Sequence, residues 1–323
     1  MRLLLFNPET EYALASGASF YTPPARVEQM RRERELLPEA WANPEDVILV
    51  DDPAAMSSSM RLASWNDLAA LFAEIPDLTV EPWGWNPALL RRLLDAGVPP
   101  RCLPDKLTIE RIRNLAHRRT TIQLNNRWND YVANGHIHRG NDLTVDIPVE
   151  LDSIEVCMEY YRSNPHCWMK APWSSSGRGV INTAADMTEI LVEQWCRGIL
   201  RRQGSVMGET GADRIADFAT EWRISSGMAE FLGLSSFSTS NRGKYISNYA
   251  VTQEEMRSRF NSLSVIPADD LISIQKLILE ESLSDYDGLC GVDILIERRG
   301  HIRPFVELNL RRTMGMLHLR PVP

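Results

Sequence analysis

Short apolar runs bounded by polar or turn residues recur through the first hundred positions, at residues 2–6, 46–51 and 78–80. Runs of that length suit strands of a parallel sheet that is covered on both faces. Between the first two, residues 27–37 are dense in Arg and Glu and read as a helix with a solvated face. Helical spacing takes over at residues 87–96, with Asn86 as N-cap, Pro87 in the first turn and Gly97 as the stop. Strand and helix therefore alternate, as an α/β unit requires. Pro99, Pro100 and Pro104 punctuate the chain and place a boundary near residue 104, after which residues 105–119 resume as a charged amphipathic helix. Residues 125–141, rich in Asn, Gly and His without a clear period, read as an irregular connection.

Further along, the period shortens to two. Residues 166–171 read as a strand, and residues 289–297 and 302–309 as two strands joined by Arg298-Arg299-Gly300. Alternation puts Glu307 and Asn309 on one face, and pairing through the turn brings Asp293 beside Glu307. Two carboxylates and an amide then converge, which is the oxygen-rich set that holds Mg2+ together with substrate phosphates. Arg311 and Arg312 follow directly and add positive charge suited to a metal-bound triphosphate.

The strand at 166–171 carries Lys170 and runs into Ser174-Ser175-Ser176-Gly177-Arg178-Gly179. Such a loop has little side-chain bulk, so its backbone N–H groups and hydroxyls can wrap anionic oxygens. Lys170 supplies a compact positive charge from the delivering strand, and Arg178 a second. No Gly-Lys-Ser/Thr triplet closes the loop and no third glycine follows, which excludes both a Walker loop and a dinucleotide fingerprint.

Composition narrows the classes. The chain has 323 residues, 44% hydrophobic and 24% charged, which is ordinary globular usage for two or three packed subdomains. A formal charge of -8 disfavours nucleic acid, despite a local cluster of Arg111, Arg113, Arg118 and Arg119. The initial apolar run is too short for a secretion signal, and no stretch reaches the roughly 18 apolar residues of a membrane span, so the expected location is cytoplasmic. Five scattered cysteines lack zinc spacing and are expected to be reduced and buried, and His136 and His138 lack a third ligand nearby. Asn7, Glu9 and Glu11 follow the first strand, where open α/β sheets place ligands and where strand ends are also capped. Trp83-Gly84-Trp85 reads as core packing. Phe6-Asn7-Pro8-Glu9 stands where a dinucleotide enzyme would need its glycine turn, which removes an oxidoreductase reading.

Lys170 with its Ser/Gly loop, followed roughly 120 to 140 residues later by Gly291-x-Asp293 and Glu307-x-Asn309-x-Arg311, resembles the ATP-grasp superfamily over about residues 166–315. The resemblance implies an α/β chain, α+β in its C-terminal half: a Rossmann-like parallel sheet over 1–104, a subdomain with the phosphate loop over 105–204, and one with adenosine and metal sites over 205–323. It implies ATP and Mg2+, with Mn2+ as a substitute. Lys170, Ser174, Ser175, Ser176, Gly177, Arg178 and Gly179 fall on the phosphates, Asp293, Glu307 and Asn309 on the metal, and Arg311 near the transferred phosphate. Glu209, ending the hinge-like 205–209, matches the acid that meets adenosine, and Glu221 is a second candidate, set against an ion pair with Arg223. Arg242 and Lys244, in loop 239–245, and Arg312 are candidates for the acceptor substrate. The implied reaction joins a small-molecule carboxylate to an amine through an acyl phosphate. The alternatives are a small-molecule kinase and a non-catalytic nucleotide sensor of the same fold. A homo-oligomer is compatible with either.

Overall fold

In the computed structural model, which describes residues 1–135, 143–174, 179–184, 187–239 and 245–319, the first apolar run becomes an inner strand. This strand, β1 (Arg2–Leu5), lies between β2 (Val47–Leu49) and β4 (Thr79–Pro82), and β3 (Arg61–Ala63) adds to β2. All pairings are parallel, and Leu3, Leu4, Val47 and Ile48 are fully buried, as a sheet covered on both faces requires. Helices α1 (Thr10–Ser16), α2 (Ala25–Glu33), α3 (Leu68–Glu74) and α4 (Pro87–Asp95) complete this unit, and α5 (Lys106–Leu115) ends at its limit. The chain divides into two compact units, Met1–Asn114 and Leu115–Pro323.

Local signals in the first unit act as the sequence suggests. The Asn86 side chain accepts from the Leu89 N–H at 2.9 Å, and Gly97 closes the helix at a φ of +87° that favours glycine. Asn7 is a strand-end clamp: its Nδ2 donates to the Gly84 carbonyl at 2.7 Å and its Oδ1 accepts from the Gly84 N–H at 3.2 Å. Trp83 is core, edge-on to Phe6 with ring centroids 5.1 Å apart. The charged stretch at 27–37 is not simply a solvated face, because Arg31 is buried among Glu28, Glu35 and Asp51.

The second unit opens with α6 (Thr120–Ala133), which replaces most of the irregular connection expected from residue 125. Thr121, Leu124, Asn125 and Trp128 form one buried stripe at helical spacing, and the Asn125 Nδ2 donates to the carbonyls of Thr121 and Phe305. A residue that reads as turn-forming is thus satisfied inside a helix by tertiary contact. Next come β5 (Val149–Leu151), α7 (Ile154–Ser163), β6 (Trp168–Lys170), β7 (Val180–Asn182), α8 (Glu189–Gln203) and β8 (Val206–Glu209). Their sheet has the order β5-β8-β6-β7, antiparallel throughout, and packs on α7 and α8 around Cys157, Met169, Val192 and Cys196. All five cysteines are free thiols; Cys102 is half-buried and the others are buried.

A second antiparallel sheet follows, in the order β11-β10-β9-β12-β13, from β9 (Arg214–Ser225), β10 (Met228–Thr239), β11 (Tyr245–Asn248), β12 (Gly288–Glu297) and β13 (Ile302–Asn309). Helices α9 (Gln253–Leu263) and α10 (Ala268–Ser282) intervene in sequence. Phe218, Thr220 and Trp222 on β9 and Val292 and Ile294 on β12 are buried along one face. Asp217, Ala219 and Glu221 on β9 and Gly291, Asp293 and Leu295 on β12 therefore share the other. Among the described residues no helix is long and apolar enough to cross a membrane.

Candidate functional site

The hairpin forms in the expected register, with Asp293 opposite Glu307 and Gly291 opposite Asn309. The Asn309 Nδ2 donates to Asp293 Oδ1 at 3.2 Å, while Asn309 Oδ1 accepts from Arg311 Nη2 at 3.0 Å. Asp293 keeps an edge open on a cavity wall, yet burial pushes its carboxyl well above the usual carboxylate range, and the charges of Glu307 and Glu221 push the same way. Arg311 offsets only part of this. The Asp293 carboxylate is thus incompletely neutralised, the condition that a divalent cation relieves. Among the described residues no three His, Cys, Asp or Glu side chains gather as a metal centre, so a cation on this pair needs further oxygens from phosphate or water. The donor chemistry fits Mg2+.

Lys170, at the end of β6, donates from Nζ to Glu209 Oε2 at 2.6 Å, and both side chains are nearly buried. The structure thus pairs two residues that the sequence assigns to phosphate and adenosine separately. Ser174 and Gly179 flank the loop; residues 175–178 lie outside the described residues, as do Arg242, Lys244, His136 and His138. The Ala171 N–H donates to the Gly179 carbonyl at 2.7 Å, and Gly179 has a φ of +71°. A Cβ there would meet the Cβ atoms of Ser174 and Ala171 at 3.0 and 3.1 Å, so glycine suits both the turn and the closure.

One side chain at this cavity was not singled out by sequence. Arg118 is buried, donating from Nη1 to the Ala171 carbonyl at 2.6 Å and to Ser174 Oγ at 2.8 Å, and from Nη2 to Glu307 Oε1 at 2.5 Å. It ties the start of the loop to the acidic hairpin. Within its local Arg cluster nothing marks it out, because its partners lie 53 to 189 residues away.

Glu221 shares the face of Asp293 but is sealed from it. Ser235 Oγ and Thr313 Oγ1 each donate to its carboxylate at 2.9 Å, and burial raises its pKa to about 7. The ion pair with Arg223 does not form; Arg223 is exposed and its nearest acid is Glu230 at 3.8 Å. Arg312 is buried on the segment after β13, and its carbonyl accepts from Arg311 Nη1 at 2.9 Å. A cavity of about 140 Å3 collects Lys170, Glu209, Arg118, Asp293 and Glu307 on one wall system, with Phe237 and Leu295 as apolar lining.

No family model matches the sequence, and no curated protein does either. Solved structures do. The biotin carboxylase domain of 2-oxoglutarate carboxylase from Hydrogenobacter thermophilus, crystallised with MgADP, ADP and bicarbonate, has 12% identity and a TM-score of 0.53 over 97% of this chain and 64% of that one. N5-carboxyaminoimidazole synthetase from Staphylococcus aureus with ADP has 11% identity and a TM-score of 0.51, over 97% and 71%. An L-amino acid ligase from Bacillus licheniformis has 13% and 0.50, over 97% and 69%. This chain therefore spans about two thirds of the length of these proteins, and at such identities the likeness is one of fold.

Proposed function

The chain has the ATP-grasp fold, and we propose that it is an ATP-dependent ligase that activates a substrate carboxylate as an acyl phosphate and joins it to an amine or similar nucleophile. The observation that carries this reading is the meeting of Lys170, Arg118, Asp293 and Glu307 at one cavity, where burial and the neighbouring charges of Glu307 and Glu221 disfavour the ionised Asp293 carboxylate. Within it, residues 105–204 supply the phosphate loop and residues 205–323 the adenosine and metal sides. Asp293, Glu307 and Asn309 hold Mg2+, or Mn2+ in its place, which when bound neutralises charge on the phosphate oxygens. Lys170 and residues 174–179 hold the phosphates, and Arg311 faces the group in transfer. Glu209 remains the candidate for the adenosine side, whereas Glu221 is satisfied by Ser235 and Thr313 and does not line the cavity; Arg242, Lys244 and Arg312 are the candidates for the acceptor.

The chemistry balances simply. A carboxylate oxygen of the substrate attacks the γ-phosphorus and ADP leaves; the amine then attacks the acyl carbon, phosphate leaves, and the nitrogen loses a proton. The protein orients and offsets charge, as phosphoryl transfer generally requires. The three structurally similar proteins, a carboxylase domain, a synthetase and a ligase, support the class.

The test is product analysis by phosphorus NMR on the full chain with Mg-ATP and paired panels of carboxylic acids and amines. Ligation is expected to yield ADP and inorganic phosphate in equal amounts, dependent on both substrates and abolished by EDTA. A phosphorylated substrate without free phosphate would make the protein a kinase, and ATP binding without turnover on any pair a sensor.

A further inference from the structure

We propose that the N-terminal unit carries its own binding site for a small zwitterion of the α-amino acid class, with Glu9 receiving the ammonium group and Arg92 the carboxylate. The site is a cavity of about 270 Å3 at the C-terminal ends of β1 and β2, where open parallel sheets present ligands. Leu5, Phe6 and Leu49 come from those strand ends, Trp65 and Leu89 add apolar surface, and charged groups from α2 and α4 complete the lining. A volume near the lower end of the roughly 300–1,000 Å3 of ordinary ligand pockets suits a compact guest.

Pairing of the charges singles out two. Arg31 donates to Glu28 at 2.7 Å, to Asp51 at 2.5 Å and to Glu35, which also accepts from the Asp51 N–H. Arg91 is held by Asp95 at 2.8 Å. Glu9 Oε2 is closed off from solvent and makes no hydrogen bond. The Arg92 guanidinium lies 3.6 Å from the Trp65 ring centroid, and its nearest acid, Asp51, stands at 3.8 Å. No ion pair joins Glu9 to Arg92. The cavity thus retains one acid and one base whose strongest partners are missing.

A buried carboxylate oxygen without a donor is costly, and here burial moves the Glu9 pKa up to about 7 although its own backbone N–H, Arg31 and Arg92 pull the other way. An ammonium group brings three donors and a positive charge to the carboxylate that lines the cavity. A guanidinium placed over an indole ring can present its fork to a carboxylate, the bidentate geometry that favours arginine over lysine. One ligand with both groups satisfies both residues. The proposal stands whether or not the C-terminal unit is a ligase.

The experiment is calorimetric titration of the full chain with each of the proteinogenic α-amino acids, in the absence of nucleotide and metal. At least one is expected to bind, and its deamino acid and its decarboxylated amine should each bind at least tenfold more weakly. Glu9→Gln should weaken the amino acid at least tenfold. Arg92→Met, at a half-exposed position that leaves the core intact, should weaken the amino acid but not the decarboxylated amine. Far-UV circular dichroism and urea midpoints of both variants establish that the fold persists. Absence of binding by the whole panel would overturn the proposal, as would equal affinity for Glu9→Gln or equal affinity for the two truncated analogues.

Discussion

Asp293→Asn and Glu307→Gln, each made in the full chain, are expected to lower magnesium-dependent ATP turnover by about a hundredfold or more. Both substitutions keep shape and remove one charge from the pair that faces across the β12–β13 register. What remains is one carboxylate and two amides, a set too weakly charged to hold a hard dication against water. The required Mg2+ concentration should rise together with the loss of rate. Stability separates the two variants. The raised pKa of Asp293 means that its ionised form is disfavoured in the fold, so its cost is absent below the ordinary carboxylate range and grows as pH rises above it. Asp293→Asn should therefore be at least as stable as the parent at neutral pH. Glu307→Gln leaves the buried Arg118 without its anion and should cost about 1–3 kcal/mol. Initial rates of ADP release against Mg2+ and urea midpoints check both expectations; undiminished turnover in either variant would remove that residue from the site.

Lys170→Met should weaken ATP affinity by about tenfold to a hundredfold and depress turnover at least as far, because a compact charge on the phosphates is lost. The same change leaves Glu209 without its partner at 2.6 Å, with an expected cost of about 1–3 kcal/mol for a nearly buried group. Adding Glu209→Gln removes the unpaired charge, so the double variant should regain stability without regaining turnover. Because Glu209 itself stands on the adenosine side, the ATP affinity of Lys170→Met alone, measured where that variant is folded, distinguishes a lysine that acts on ATP from one that merely holds β6 to β8. Equal ATP affinity in parent and Lys170→Met, read by equilibrium titration, would assign the pair a structural role alone.

The hairpin was legible because its determinants are local. Apolar alternation through Val292 and Ile294, an Arg-Arg-Gly turn and a period of two fix which side chains share a face. The parallel sheet was legible for a similar reason, since three solid apolar runs leave little alternative. By contrast, β3 at Arg61–Ala63 is too short to show a period and exists as a strand through its pairing with β2. Helix α6 was hidden by Asn125, Asn126 and Asn129, whose turn preference is overridden once Asn125 finds the Phe305 carbonyl. Arg118 and the Lys170–Glu209 pair depend on contacts across the unit, which no spacing rule contains. Glu9 was visible as a polar residue after the first strand, but its isolation became evident only with Arg31 committed to three other acids.

Crystals of the full chain grown with Mn2+ and a non-hydrolysable ATP analogue, with anomalous data collected at the manganese edge, test whether the acidic hairpin is a metal-nucleotide site. A manganese peak is expected within about 2.0–2.2 Å of carboxylate oxygens of Asp293 and Glu307, with the analogue's phosphates against Lys170. A peak bound to other residues, or phosphates seated away from Lys170, would contradict it.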